Sequence, residues 1–368
     1  MSSIYGEKLK ISVFGESHGA GIGVVIDGIL PGVEIDLEEV QFQMSRRSPG
    51  GVEGSTKRNE ADEFEILSGM LENRTTGAPL CAFIRNTNTR SGDYGNIALL
   101  PRPSHADYTG FVRYNGFNDI RGGGHFSGRL TAPIVFAGSV CRQILEKKGI
   151  MIGAHIYKIG SVKDTPFTDC EIPSELLKSL TRERFCTIDK EAAEKMKVEI
   201  ERARLQADSI GGIVECAVTG LPAGIGSPMF ETVEGRLASM MFSVPAVKGI
   251  EFGKGFEISE MLGSQANDPF YYDENGEVKT KTNNNGGILG GITTGMPLIF
   301  RTAIKPTSSI GKEQDTINLS EKKNDKLIIK GRHDSCIAVR AVPVIEAAAA
   351  VAVTDILLSE GFFSQRED

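Results

Sequence analysis

Six stretches alternate apolar and polar residues, or hold short apolar runs bounded by Gly and Pro: KLKISVF, GVVIDGI, PLCAFIR, GIVECAVTG, MPLIFRTAI and DKLIIKG. A period of two, or an apolar run of that length, predicts β-strands. Four longer stretches place apolar residues at helical spacing and predict helices: LEEVQFQMSRR, the APIVFAGSVCRQILEKK run, KEAAEKMKVEIERARLQ and VPVIEAAAAVAVTDILLSE. Strand-rich and helix-rich stretches cluster instead of alternating. The pattern predicts an α+β fold, not a regular βαβ wind.

The same cues recur in one order. VVIDGILPGVEI (24–35) is echoed by VECAVTGLPAGIG (214–226), and TTGAPLCAFI (75–84) by TTGMPLIFRT (293–302). The His125, Arg129, Pro133 segment runs into a helix, as do His333, Arg340 and Pro343. Ordered recurrence predicts an internal duplication. The expectation is one body over residues 1–368, made of two halves at about 1–150 and 205–368 and related by a pseudo-two-fold. No low-complexity spacer interrupts it.

The chain of 368 residues is long enough for a large core. Its formal net charge of −7 argues against nucleic acid, while local basic clusters remain suited to small anions. Cys81, Cys141, Cys170, Cys186, Cys216 and Cys336 are scattered, which predicts reduced thiols and neither a disulfide framework nor a zinc site. The opening MSSIYGEKLKISVFG carries early charge and no signal-like apolar stretch, and no run approaches the length of a membrane span. A cytoplasmic protein with no membrane partner is expected.

Candidate chemistry gathers where Gly and Pro frame polar residues. FGESHG holds Glu16, Ser17 and His18; MSRRSPGG holds Arg46 and Arg47, with Lys57 and Arg58 beyond. RPSHADYTG holds Arg102, Ser104, His105 and Asp107, and KGRHDSCIAVRAVP holds Arg332, His333, Asp334 and Arg340. GGGHFSGRL (122–130) offers bare backbone N–H groups ahead of a helix, which suits either an anion or a plain tight turn. KPTSS after a strand suits either phosphate binding or simple backbone capping. Each cluster has a structural alternative, since arginines ending a helix also complement its dipole. Four of the five His nevertheless sit in such loops, each with an Arg, a Ser or a carboxylate within three residues. Arg, Lys and hydroxyls bind phosphate, and His with Asp supplies an acid and a base. No nucleophile elbow, P-loop or dinucleotide fingerprint is present, and no helical HxxxH supports a metal site. The residues alone reach an enzyme that handles phosphorylated ligands by His/Asp proton transfer.

FGESHG, the RR-x-PG element (Arg46, Arg47, Pro49, Gly50), HADYT, RGGG, KPTSSI and GRHD-x-C with RAVP together resemble the chorismate synthase family, colinearly from Phe14 to Pro343. The resemblance implies helices sandwiched between antiparallel sheets, internal pseudo-symmetry and a homotetramer. It implies an anti-1,4-elimination of phosphate and the C6 hydrogen from 5-enolpyruvylshikimate-3-phosphate, giving chorismate with reduced FMN and no net redox change. By that resemblance His18 donates a proton to the departing phosphate, His105 protonates the flavin ring, and Asp334 helps remove the C6 proton. Arg46, Arg47, Arg58, Arg129 and Arg340 match the substrate arginines. FMN contacts fall to His125, Phe126, Ser127, Gln265, Ala266, Gly290, Lys305, Pro306, Thr307, Ser308, Ser309 and Arg332. NADPH as an external reductant would meet Arg47, although the ordinary length favours a separate flavin reductase. Many members read GGGRSSARET where this chain reads GGGHFSGRLT, Glu53 stands where some have Arg, and Ser335 replaces a common Pro. The rival readings are a flavin-binding protein without catalysis and a phosphotransferase needing ATP and Mg²⁺.

Overall fold

Glycine and proline divide the first half of the chain into antiparallel strands that close around two long apolar helices. The computed structural model describes residues 3–49, 62–87, 99–167, 170–329 and 334–364. In the first half lie β1 (Ile4–Tyr5), β2 (Lys10–Gly15), β3 (Gly21–Asp27), β4 (Phe64–Ser68), the β5–β6 hairpin (Met70–Leu71, Arg74–Thr75) and β7 (Leu80–Arg85). In the second lie β8 (Met151–Ile159), β9 (Val162–Lys163), β10 (Gly212–Thr219), β11 (Val247–Phe252), the hairpins β12–β13 (Phe270–Tyr272, Val278–Thr280) and β14–β15 (Ile288–Leu289, Ile292–Thr293), β16 (Leu298–Ile304), and β17–β18 (Gln314–Asn318, Lys323–Leu327). The helices are α1 (Leu37–Arg47), α2 (Asp107–Arg113), α3 (Thr131–Glu146), α4 (Ser174–Leu180), α5 (Lys190–Leu205), α6 (Val233–Ser243), α7 (Gly263–Ala266) and α8 (Ala338–Ser359).

Two five-stranded antiparallel sheets carry the fold, ordered β1-β2-β3-β7-β4 and β11-β16-β10-β8-β9. Read from opposite ends the orders correspond, with β3 and β10 each central and β4 and β11 each at an edge. Both edge pairings slip register by a bulge, between Ile66 and Ser68 and between Val247 and Gly249. The two echoing turns share their bonding. Thr75 Oγ1 donates to Leu30 O at 2.6 Å and accepts from Val33 N at 2.9 Å; Thr293 Oγ1 donates to Pro222 O at 2.6 Å and accepts from Ile225 N at 3.0 Å. The β5–β6 and β14–β15 hairpins both turn through two residues of positive φ, Glu72-Asn73 and Gly290-Gly291, as a type I′ turn requires.

Between the sheets, α3 packs on β3 and β7, α8 packs on β8 and β10, and the two helices pack on each other. Their approach is close because small residues meet: a Cβ at Gly138 would collide with Ala347. The alanines 347–350 are fully buried or nearly so, so the Ala-rich sequence is a packing device. By length and hydropathy α8 could cross a membrane, yet nine-tenths of its apolar window is enclosed by the protein. It is a core helix here.

Most expected elements appear, α1 residue for residue. Three differ. The DKLIIKG strand ends at Leu327, with Ile328 half-exposed beyond it. Helix α8 begins at Ala338, ahead of Pro343, so Arg340 belongs to the helix and the proline sits inside it. Strand β8 was not legible, because Gly153 and His155 interrupt its apolar run, yet it pairs along all of β10.

Candidate active site

The glycine triplet is built as a wall that only glycine can form. Gly122, Gly123 and Gly124 have φ of 61°, 86° and 53°, in the left-handed region. A Cβ at Gly122 would fall 2.6 Å from His18 Nε2 and 2.8 Å from Ser17 Oγ. At Gly123 it would lie 3.4 Å from Cε1 and 3.5 Å from Nε2 of His105. The triplet therefore carries His18 against one glycine and His105 against the next. Gly124 O accepts from Ser17 N at 3.2 Å, fastening the FGESHG loop to the same wall.

From the loop that carries His18 a polar chain runs to Asp334. Asn86 Nδ2 donates to Glu16 O and Gly19 O, both at 2.9 Å, and Asn86 Oδ1 accepts from Arg129 Nε at 2.6 Å. Arg129 Nη1 donates to Asp62 Oδ1 at 3.0 Å, while Arg47 grips Asp62 Oδ2 through Nε at 2.8 Å and through Nη2. Arg340 Nε donates to Arg47 O at 2.9 Å, and its Nη1 meets Asp334 Oδ2 at 2.5 Å. Burial and the Arg47 cation push Arg340 below the usual guanidinium value, against the pull of Asp334. Asp62 and Asn86 were missed in the sequence. Neither lies in a framed loop, and only the fold brings them between arginines.

His105 has its own anchors. Its Nδ1 lies 2.6 Å from Asp107 Oδ1, and Arg102 bonds Asp107 at 2.7 and 2.8 Å. Burial alone would raise the Asp107 carboxyl; Arg102 and His105 overcome it and hold the group well below the usual carboxylate range. Arg102 also donates to Ser309 Oγ at 3.3 Å, which joins this loop to the 305–309 segment.

That segment is pinned by Lys305 N on Ala246 O at 2.9 Å and by Ser209 Oγ on Thr307 O at 2.7 Å. Pro306 is exposed and Ser308 half-buried beside them. Burial, with Lys248 adjacent, lowers Lys305 from the usual lysine value, and among the described residues Thr307 Oγ1 is buried without a hydrogen-bond partner. Two neighbouring ammonium groups and an orphaned hydroxyl suit an anionic ligand such as a flavin phosphate.

The other expected residues have partners of their own. Arg46, expected among the substrate arginines, faces the core. Its donors are spent on Glu346 (2.5 Å), Gln43 (2.7 Å), the carbonyls of Leu180 (3.2 Å) and Glu183 (3.0 Å), and the Cys186 thiol. Phe126 packs its ring against Gly110 of α2 and Tyr114 just beyond it. His125 donates from Nδ1 to Gly15 O at 2.9 Å, and Ser127 caps Arg129 N. Gln265 and Ala266 are bonded through their carbonyls to Asn284, and Gly290 forms its hairpin turn; none of these hydrogen bonds reaches the histidine wall. Arg58, Arg332, His333, Lys57, Glu53 and Gly50 lie outside the described residues. Among the described residues no cluster of His, Cys, Asp and Glu could hold a metal.

The sandwich of antiparallel sheets around core helices is the architecture of an α+β enzyme family. A crystal structure of a chorismate synthase superposes with a TM-score of 0.74 and 28% identity, over 97% of this chain and 93% of that one. Chorismate synthases of Pyrococcus abyssi and Thermococcus kodakarensis are 49% and 47% identical over 354 residues, covering 96% of this chain and 97% of theirs. The chorismate synthase family model matches residues 9–358. The chain belongs to the chorismate synthase family.

Proposed function

We propose that this protein converts 5-enolpyruvylshikimate-3-phosphate to chorismate by anti-1,4-elimination, as a carbon–oxygen lyase of aromatic amino-acid biosynthesis in the cytoplasm. The observation that carries the reading is the bonded chain from the His18 loop through Arg129, Asp62, Arg47 and Arg340 to Asp334, with His105 on the neighbouring glycine. An elimination needs an acid at the leaving group and a base at the departing hydrogen, held in one frame.

Arg47, Arg129, Arg340 and, by the family motif, Arg58 bind the substrate's two carboxylates and phosphate. His18 gives its proton to the leaving phosphate. Asp334 takes the C6 proton, and Arg340 stabilises the carboxylate before transfer. His105 holds a proton for the flavin ring. Reduced FMN, when bound, would supply electron density towards the allylic C–O bond. It would be held by Lys305, Pro306, Thr307, Ser308 and Ser309, with Gln265, Ala266, Gly290, Arg332 and the residues 125–127. The lowered Lys305 and the unpartnered Thr307 hydroxyl support that fit. The shared turn bonding of the two halves supports an internal duplication with a pseudo-two-fold.

Anaerobic protein with dithionite-reduced FMN and substrate should release phosphate and form chorismate in equal amounts. Folded, flavin-loaded protein that releases no phosphate would end this reading. Added NADPH with oxidised FMN should not be consumed, because reduced flavin comes from a separate reductase.

A further inference from the structure

Asp107 stands two residues after His105 and opens α2. Its carboxylate is buried and saturated. Oδ2 accepts from the Arg102 backbone N–H at 3.0 Å and from Arg102 Nε at 2.7 Å. Oδ1 accepts from Arg102 Nη2 at 2.8 Å and lies 2.6 Å from His105 Nδ1. An ionised carboxylate only accepts, so the ring nitrogen facing it carries the hydrogen. Arg102 Nη2 also stands 3.1 Å from Nδ1 and has a second hydrogen to give, but the acceptor-only Asp107 Oδ1 at 2.6 Å requires the hydrogen on Nδ1, which leaves that nitrogen no lone pair for Nη2. The second ring nitrogen, Nε2, is turned towards Gly123, where a Cβ would sit 3.5 Å away.

We propose that Asp107 is the positioning residue of His105: it fixes the imidazole with the hydrogen on Nδ1 and so presents Nε2 over the Gly123 backbone as the atom that exchanges protons. Arg102 completes the arrangement, because its bond to Ser309 keeps the pair in register with the 305–309 segment. The proposal rests on the reading of His105 as a proton-transfer group. Neither Asp107 nor Arg102 need touch substrate for it to hold. The effect is a choice of tautomer, which hydrogen bonding to the far ring nitrogen decides.

The test is nitrogen-15 NMR of the full chain labelled in histidine, with the His105 signals assigned by their loss in His105→Gln. At a pH where the ring is neutral, the hydrogen should sit on Nδ1. In Asp107→Asn the carboxamide oxygen stays with the two Arg102 donors and its NH₂ faces Nδ1, so the hydrogen should move to Nε2. The same variant should lose at least about tenfold in kcat, with KM changed less than about threefold. Asp107→Glu, which still accepts from Nδ1, should keep the native tautomer and most of the activity. A hydrogen on Nε2 in the unaltered protein overturns the proposal without requiring any variant to fold. So does a tautomer that stays put in Asp107→Asn. A tautomer that moves while kcat is unaltered overturns the proton-transfer role of His105 instead, so the two readings fail separately.

Discussion

Asp334 and Arg340 face each other across 2.5 Å, and Arg340 belongs to α8 while Asp334 lies four residues before that helix begins. The base proposed for the C6 proton is thus tethered to a deeply buried core helix. Asp334→Asn should lower kcat by about 10²- to 10⁴-fold with little change in FMN binding. Stopped-flow turnover beside a flavin titration decides it, and a loss under about threefold would show that Asp334 is not the base.

Gly122 gives a sharper geometric test. Alanine there must adopt φ near 61° and drive its methyl into the His18 ring. The left-handed backbone alone costs about 1–2 kcal/mol. Gly122→Ala should therefore lower Tm and displace His18, with kcat falling more than the lost stability explains. Gly128→Ala, where a Cβ meets nothing within 4 Å, is the control and should do neither.

Arg46 separates a structural arginine from those proposed to bind substrate. Arg46→Met leaves Glu346 buried and unpaired, which should cost about 3–5 kcal/mol in urea unfolding. Replacing both, as Arg46→Met with Glu346→Gln, should recover most of that loss. Substrate KM of the double variant should stay within about threefold of the parent; a larger rise would return Arg46 to the site.

The remaining described histidine, His155, is buried on β8 between Asp164 (2.7 Å) and Glu215 (2.9 Å), with Arg301 also on Glu215 at 2.8 Å. Burial opposes its charge, but the two carboxylates prevail and raise it above the ordinary 6.5. A raised histidine stabilises the fold fully below its unfolded value and loses that contribution as pH climbs through the folded one. Burial opposes ionisation of Asp164 and Glu215 too, yet His155 holds both low, so their share is lost as pH falls through their folded values. Stability from this cluster should be greatest between the ordinary carboxylate and histidine values and decline above the latter. His155→Gln should flatten that alkaline decline in Tm; a parallel pH profile would contradict the charged triad.

Association is the last expectation. Phe230, Phe256 and Tyr272 are 89%, 83% and 76% exposed, an apolar display that favours self-association. Light scattering of the purified chain should give a homotetramer, and Tyr272→Glu should weaken it. A monomer at micromolar concentration would refute it.

Local physics made much of this protein legible in advance. The apolar runs of β3 and β16, the helical spacing of α1 and the Ala-rich α8 follow from side-chain pattern, which acts over a few residues and leaves its mark in order. The repeated Leu-Pro and Thr-Thr-Gly turns were legible, and each places a threonine hydroxyl in the same pair of bonds. Glycine-framed histidines marked the candidate site for the same local reason, since glycine lets a backbone approach an imidazole as closely as Gly122 approaches His18. How the two neighbouring arginines of α1 are partnered was decided by tertiary packing alone. Arg46 and Arg47 are sequence neighbours on α1, yet one helical step turns the first onto Glu346 in the core and the second onto Asp62 beside Arg129. Asp62 and Asn86 carry no signal of their own, because a hydrogen bond across a fold depends on where two distant segments meet, and no local pattern encodes that meeting.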